Sequence, residues 1–469
     1  MKLNPSIFRE YDIRGIAGKD LTPEFAQLLG LAYAEYLRSS PLASKKPQLT
    51  VSVGWDCRLT GPAYQEALVQ GLTQAGLNVI RLGVCSSPLT YFSLFHLEVD
   101  GAIMVTGSHN PSDYNGFKIC VGKDTIHGHQ IQDIRKIMES NPKPAPASGK
   151  VSDYEIIPPY LAFHQKNALP LKKKKIVIDA GNGAASVVAP ELFKRLGAEV
   201  IPLFCEYDGR FPNHHPDPTV VHNLKDMIRA VKENKADFGV AFDGDADRIG
   251  LVDENGKVIF GDEIMIILAR DLLKTNPGAK IISEVKSSHR LYNDIASRGG
   301  QPLMWKTGHS LIKSKMKEIG ALLAGEMSGH IFFSDRYFGF DDAVYAALRI
   351  YEIACKTDLP LSSLISDLPK TFTTAEIRVD CVEEQKFQLV EETKLQLSKG
   401  RKVNDIDGVR ADFGDGWGLV RASNTQPVLV LRYESTTEAG LKSIRETIES
   451  TLHAAAKKIG HPPIEIPAE

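Results

Sequence analysis

Short apolar runs alternate along this chain with longer stretches in which apolar positions recur every three or four residues. The runs read as buried strands and the recurring positions as amphipathic helices. Helices are predicted near Pro23 to Leu37, from Pro62 to Ala75, from about Ala185 to Leu196, from Gln385 to Leu397 and from about Glu438 to Lys457. Strands are predicted at Leu49 to Val53, Gly101 to Val105, Ile176 to Asp179, Phe238 to Phe242, Lys280 to Ser283 and Leu322 to Ala324. This alternation is the grammar of an α/β chain with largely buried sheets. From about Thr371 it changes: Thr374 to Val379, Val409 to Phe413 and Trp417 to Arg421 make a β-rich section flanked by the last two helices, a small α+β unit.

Polar loops with glycine punctuate this pattern where strands end, the places where open α/β sheets collect ligands. After Gly101 to Val105 comes Thr106-Gly107-Ser108-His109-Asn110-Pro111, and after Phe238 to Phe242 comes Asp243-Gly244-Asp245-Ala246-Asp247-Arg248. After Leu322 to Ala324 comes Gly325-Glu326-Met327-Ser328-Gly329-His330, and the last unit carries Arg421-Ala422-Ser423-Asn424-Thr425-Gln426-Pro427. Four units follow: residues 1–150, 151–254, 255–369 and 370–469. The Pro-rich stretch Asn141 to Pro146 reads as a linker or surface crossing. Gly181-Asn182-Gly183 lacks the full glycine spacing of a dinucleotide fingerprint and reads as a tight strand-to-helix turn.

Each loop offers a different chemistry. Asp243, Asp245 and Asp247 repel one another unless a cation neutralises them, and hard cations such as Mg²⁺ take oxygen ligands. A solvated acidic turn is the alternative; Arg248 and an apolar strand argue against an EF-hand, since they stand where further ligands are required. Ser108 needs a base or metal to act as a nucleophile, or serves as phosphoryl donor if it carries a phosphate. Adjacent residues on an extended chain point to opposite sides, which argues against a Ser108–His109 pair, and Asn110 breaks the G-x-S-x-G elbow. Arg421, Ser423, Asn424 and Thr425 make a phosphate clamp, or a plain turn. Glu326, Ser328 and His330 suit sugar hydroxyls, or form a core carboxylate with satisfied partners.

Length and charge narrow the classes. The 469 residues exceed one ordinary domain. A formal charge of −2 argues against a nucleic-acid binder, and Lys172 to Lys175 reads as a solvated strand entry. Six cysteines without a CxxC pair indicate neither zinc nor a disulfide framework. With no signal core and no apolar run of roughly 18 residues, a cytoplasmic protein with no membrane partner is expected.

Taken together, TGSHNP, DGDADR, GEMSGH and RASNTQP resemble the four active-site loops of the α-D-phosphohexomutase superfamily, in its order and at its spacing. Phe8 to Gly15 is similar to its amino-terminal signature, and Glu284 to Ser288 and Lys306 to Ser310 to its further substrate contacts. GEMSGH resembles the phosphomannomutase/phosphoglucomutase branch, whereas phosphoglucosamine mutases more usually carry Gln at the position of Met327. Ala246 stands where many members have glycine; being small, it is expected to leave the loop intact.

The resemblance implies three related α/β domains and a carboxy-terminal α+β domain around a central active-site cleft. It implies Ser108 as phosphoserine and, with Asp243, Asp245 and Asp247, as Mg²⁺ ligand. Lys118 is carried over as candidate general base, with Arg248 and His330 in the catalytic group. Tyr11, Arg14, Lys286, His309, Glu326, Ser328, Arg421, Ser423, Asn424 and Thr425 become substrate contacts. The implied reaction exchanges the 1- and 6-phosphates of mannose, and of glucose, with a hexose 1,6-bisphosphate as intermediate and activator. A phosphoglucosamine mutase and a Mg²⁺-dependent sugar phosphatase are the alternatives. Oligomeric state is not legible.

Overall fold

Four sheets, one after another along the chain, carry the architecture. The computed structural model describes residues 3–169, 171–424 and 426–467. The first sheet has seven strands. Its centre is Gly101–Val105, parallel to Thr50–Trp55 on one side and antiparallel to Tyr114–Val121 on the other. The second has five strands around Lys175–Asp179 and Phe238–Phe242. The third has four around Lys280–Glu284 and Leu323–Gly325. The fourth has six, all paired antiparallel, with Lys386–Leu397 and Glu438–Ile459 as its two helices.

The helices start where their sequences ask them to. Thr22 accepts from the Phe25 amide before Pro23–Ser39, Asp342 from the Tyr345 amide before Ala343–Lys356, and Thr437 from the Gly440 amide before Glu438–Ile459. Each closes a backbone donor that the first turn leaves open. One expected helix is broken. Ala184–Val187 is a 3₁₀ turn and the α-helix runs only over Ala189–Arg195, because Pro190 has no N–H to continue a helix begun before it.

Two stretches fall differently from the expected divisions. Val151–Asp153 pairs in parallel with Asn78–Val84, so the chain returns to the first sheet after the Pro-rich crossing. The Asp253 to Lys257 turn closes a hairpin within the second sheet, because Val258–Ile259 pairs back onto Ile249–Asp253. Boundaries at 150/151 and 254/255 would each cut off a paired strand.

One apolar core runs through the first three units, joining Leu89 and Phe92 to Phe193, Phe238, Ile264 and Tyr351, and the first unit keeps a second one around Phe25 and Phe117. The fourth unit keeps its own core and touches the third through Trp417, Leu419 and Val285. Arg410 donates to the Ser287 carbonyl at 2.7 Å and Arg432 to that of Lys286 at 2.7 Å, which fixes the fourth unit against the third. Among the described residues no helix is long and apolar enough to cross a membrane.

Candidate active site

The Ser108 loop leaves a fully buried strand, Gly101–Val105, and turns back at once. Ser108 has φ 47°, a left-handed backbone that few residues other than glycine adopt. That turn overrides the strand alternation, and Ser108 Oγ lies 3.2 Å from His109 Nδ1, contrary to the expectation from the sequence. Burial, then Arg248 and Arg14, hold His109 well below the ordinary imidazole range. Ser108 Oγ also donates to Asp243 Oδ2 at 2.9 Å.

Arg58, which sequence reasoning missed, holds the whole loop. It is fully buried and donates to the carbonyls of Ser108 (2.8 Å), Asn110 (2.5 Å), Pro111 (2.5 Å) and Tyr114 (2.7 Å). Asp56 lies 3.3 Å from its Nε and accepts from Thr106 Oγ1 at 2.7 Å. Gly107 is needed because a Cβ there would stand 2.4 Å from the Arg58 guanidinium. The signal was present: Asp56-Cys57-Arg58 sets two charges directly after a buried strand. Arg14 adds bonds to the Gly107 carbonyl and Asn110 Oδ1, each 2.5 Å.

The aspartate loop packs directly on this turn. A Cβ on Gly244 would lie 2.3 Å from the Ser108 carbonyl oxygen. Ala246 has φ 62°, so the constraint at this position is its left-handed backbone and not its size. Asp243, Asp245 and Asp247 are fully buried, and each offers an oxygen within 4.8 Å of the others. Asp245 Oδ1 and Asp247 Oδ1 have no hydrogen-bond partner among the described residues. Burial, then Asp247 and Asp245, push the Asp243 carboxyl well above the carboxylate range. Three buried acids, two of them with an orphaned oxygen, fit a hard divalent cation.

Lys118, from the adjacent strand, reaches into this cluster. Its Nζ donates to Asp245 Oδ2 at 2.6 Å and to Asp247 Oδ2. Burial opposes its charge, but Asp245 and Asp247 outweigh burial and hold the ammonium above its usual range. In this arrangement Lys118 is a counter-charge to Asp245 and Asp247. Ser87, at the start of the helix Ser87–His96, donates to Asp245 Oδ2 at 2.5 Å.

The third loop is tied to the second. Arg248 Nε donates to His330 Nε2 at 3.0 Å, and the two residues form a β-bridge. His330 Nδ1 lies 3.1 Å from Asp341 Oδ2, and Asp341, unmarked by any motif, is fully buried. His309 stacks on His330 with centroids 5.4 Å apart. Glu326 accepts from the Gly308 amide at 2.5 Å and from Ser328 Oγ at 3.3 Å, and burial raises its pKa.

Tyr11 joins three loops. Its hydroxyl donates to the Thr307 carbonyl at 2.8 Å and accepts from Asn424 Nδ2 at 3.0 Å. A Cβ on Gly308, where φ is 134°, would stand 2.5 Å from its ring. Arg421 Nε donates to Asp407 Oδ2 at 3.1 Å, and Lys286 Nζ to Glu376 Oε2 at 3.0 Å. Ser423 Oγ accepts from the Gln426 amide at 3.2 Å. Thr425 lies outside the described residues. The sequence-read residues that are described thus gather from all four units.

Four family models match the chain in order. They describe phosphoglucomutase/phosphomannomutase alpha/beta/alpha domain I (residues 5–145), domain II (158–256), domain III (260–372) and the C-terminal domain (376–450). A phosphomannomutase/phosphoglucomutase of Pseudomonas putida is 48% identical over 451 residues, 96% of each chain. A phosphoglucomutase of Neisseria gonorrhoeae is 43% identical, covering 96% of this chain and 97% of its own. A crystal structure of a phosphoglucomutase/phosphomannomutase family protein from Burkholderia thailandensis superposes with a TM-score of 0.91 at 40% identity, covering all of both chains.

Proposed function

The chain belongs to the phosphoglucomutase/phosphomannomutase family, and we propose that it interconverts hexose 1-phosphates and 6-phosphates through a phosphorylated Ser108. The substrates are mannose 1-phosphate and glucose 1-phosphate. The observation that carries this reading is Ser108 Oγ, buried and 2.9 Å from Asp243 Oδ2 inside a loop clamped by Arg58.

In the first half-reaction the P–O bond to Ser108 Oγ breaks as the sugar's free 6-hydroxyl oxygen bonds to phosphorus, and the proton of that hydroxyl ends on the freed Ser108 Oγ. The hexose 1,6-bisphosphate turns end for end in the cleft. Its 1-phosphoryl group then passes to Ser108 Oγ, and the 6-phosphate sugar leaves. Asp243, Asp245, Asp247 and Ser108 would hold Mg²⁺, which when bound offsets charge on the transferring phosphoryl oxygens. Lys118, Arg248 and Arg14 supply fixed positive charge around Ser108. Glu326 and Ser328 bind the sugar hydroxyls, whichever end faces Ser108. Arg421, Ser423, Asn424, Thr425 and Lys286 grip the phosphate that is not moving, and Tyr11, His309 and His330 line the space between.

Incubation of the protein with mannose 1-phosphate, Mg²⁺ and a trace of glucose 1,6-bisphosphate tests the reading. Mannose 6-phosphate is expected, and chelation by EDTA should stop its formation until Mg²⁺ is restored. Free mannose with inorganic phosphate would identify a phosphatase and overturn it.

A further inference from the structure

Between the first and third units lies a cavity of about 390 Å³ that the reaction does not use. Small-molecule sites typically span roughly 300–1,000 Å³. Its floor is aromatic: Phe95 and Phe338 stack with centroids 4.4 Å apart, beside Phe340 and Tyr91. Tyr91 is 2% exposed, and its hydroxyl has no hydrogen-bond partner among the described residues. A buried hydroxyl left this way costs free energy until a ligand or water answers it.

The polar part of the lining is cationic. Lys123, Lys313 and Lys317 line the cavity. Lys317 is paired with Asp124 at 2.9 Å, and Lys313 with Asp341 at 2.9 Å. Lys123 has no acidic partner among the described residues; its ammonium stands 4.7 Å over the Phe95 ring. Three ammonium groups against two carboxylates leave one charge uncompensated. Asp341 also faces His330, so the lining residue Lys313 is linked through it to the active site.

We propose that this cavity binds a small monocarboxylate with an aromatic or branched apolar body. The body lies on the Phe95–Phe338–Phe340 floor, and the carboxylate sits by Lys123. One net positive charge selects a monoanion, and the floor selects against a strongly hydrated sugar phosphate.

Isothermal titration of the full chain with 3-phenylpropionate, and with 3-phenylpropanamide as its neutral counterpart, tests the assignment. The acid should bind one to one and the amide about tenfold more weakly. Lys123→Ala removes a charge that no carboxylate leans on, and should weaken the acid by about fivefold or more. Ser314→Trp, at the exposed mouth, should abolish binding. Both variants should keep mutase turnover within about twofold of wild type, since neither touches the reaction centre. Saturating glucose 1-phosphate should leave the acid bound. Absence of saturable binding, equal binding of acid and amide, displacement by glucose 1-phosphate, or affinity unmoved by Lys123→Ala would each overturn the proposal. The acid–amide comparison needs no variant and stands even if one fails to fold.

Discussion

The Ser108 end of the cleft and the Arg421 end are built on opposite terms. Around Ser108 the protein closes the site: the serine is 3% exposed, the three aspartates are sealed, and Arg58 alone binds four carbonyls of one loop. Around Arg421 the loop opens. Asn424 is half-buried, Gln426 and Pro427 are exposed, and the cations there are shared with carboxylates, Arg421 with Asp407 and Lys286 with Glu376. The difference follows from the proposed work. A reacting oxygen must be held to within fractions of an ångström, whereas a clamp that meets first one phosphate and then the other must accept and let go.

The largest effect expected is at the closed end. Ser108→Ala should lower turnover by about four orders of magnitude or more while leaving glucose 1-phosphate affinity within about threefold. Equilibrium binding beside kcat measures both, and residual turnover near wild type would remove Ser108 from the reaction. Next comes Arg58→Lys. A lysine supplies no fork for four carbonyls in a sealed site, so stability should fall by about 3 kcal/mol and kcat by about a hundredfold, with KM little changed. Thermal unfolding and steady-state kinetics report the two. A variant with raised KM and normal kcat would mean that Arg58 does not position Ser108.

At the open end the signature should reverse. Asn424→Ala should raise KM about tenfold with kcat within about twofold, because binding common to ground and transition states is lost. A fall in kcat alone would erase the contrast between the two ends. The smallest effect concerns Glu376, whose pKa Lys286 depresses to about 2 from 4.5. Its contribution to stability is present above the unfolded value and is lost as pH falls through the folded one. Glu376→Gln should cost about 1–2 kcal/mol at pH 6, and its deficit in thermal midpoint should shrink as the pH drops below 4.5 toward 2. A deficit independent of pH would mean that the ion pair with Lys286 does not stabilise the fold.

What could be read from the sequence was local. The four loops were legible because each packs its chemistry into six or seven consecutive residues after an apolar strand. The strands Phe238–Phe242 and Gly101–Val105 were legible as uninterrupted apolar runs. Arg58 and Asp341 were not, because their meaning lies in partners outside their own local sequence: Arg58 serves carbonyls 50 and more positions ahead, and Asp341 faces Lys313 and His330. Backbone handedness was hidden too. Neither the left-handed Ser108, which brings His109 beside it, nor the left-handed Ala246 follows from residue type, since both conformations are imposed by neighbouring elements. Lys118 was found as a position, but its pairing with Asp245 and Asp247 was not legible, because only folding places it between them.

The short strand Val151–Asp153 has a practical consequence for anyone dividing this chain. A fragment ended at residue 150 would leave Asn78–Val84 as a bare sheet edge, with a row of unpaired amides ready to recruit another copy. Such a fragment should aggregate. Extending it through the helix Ile157–Asn167 would cap that edge and also supply Tyr160, whose ring meets Phe92 at 5.4 Å.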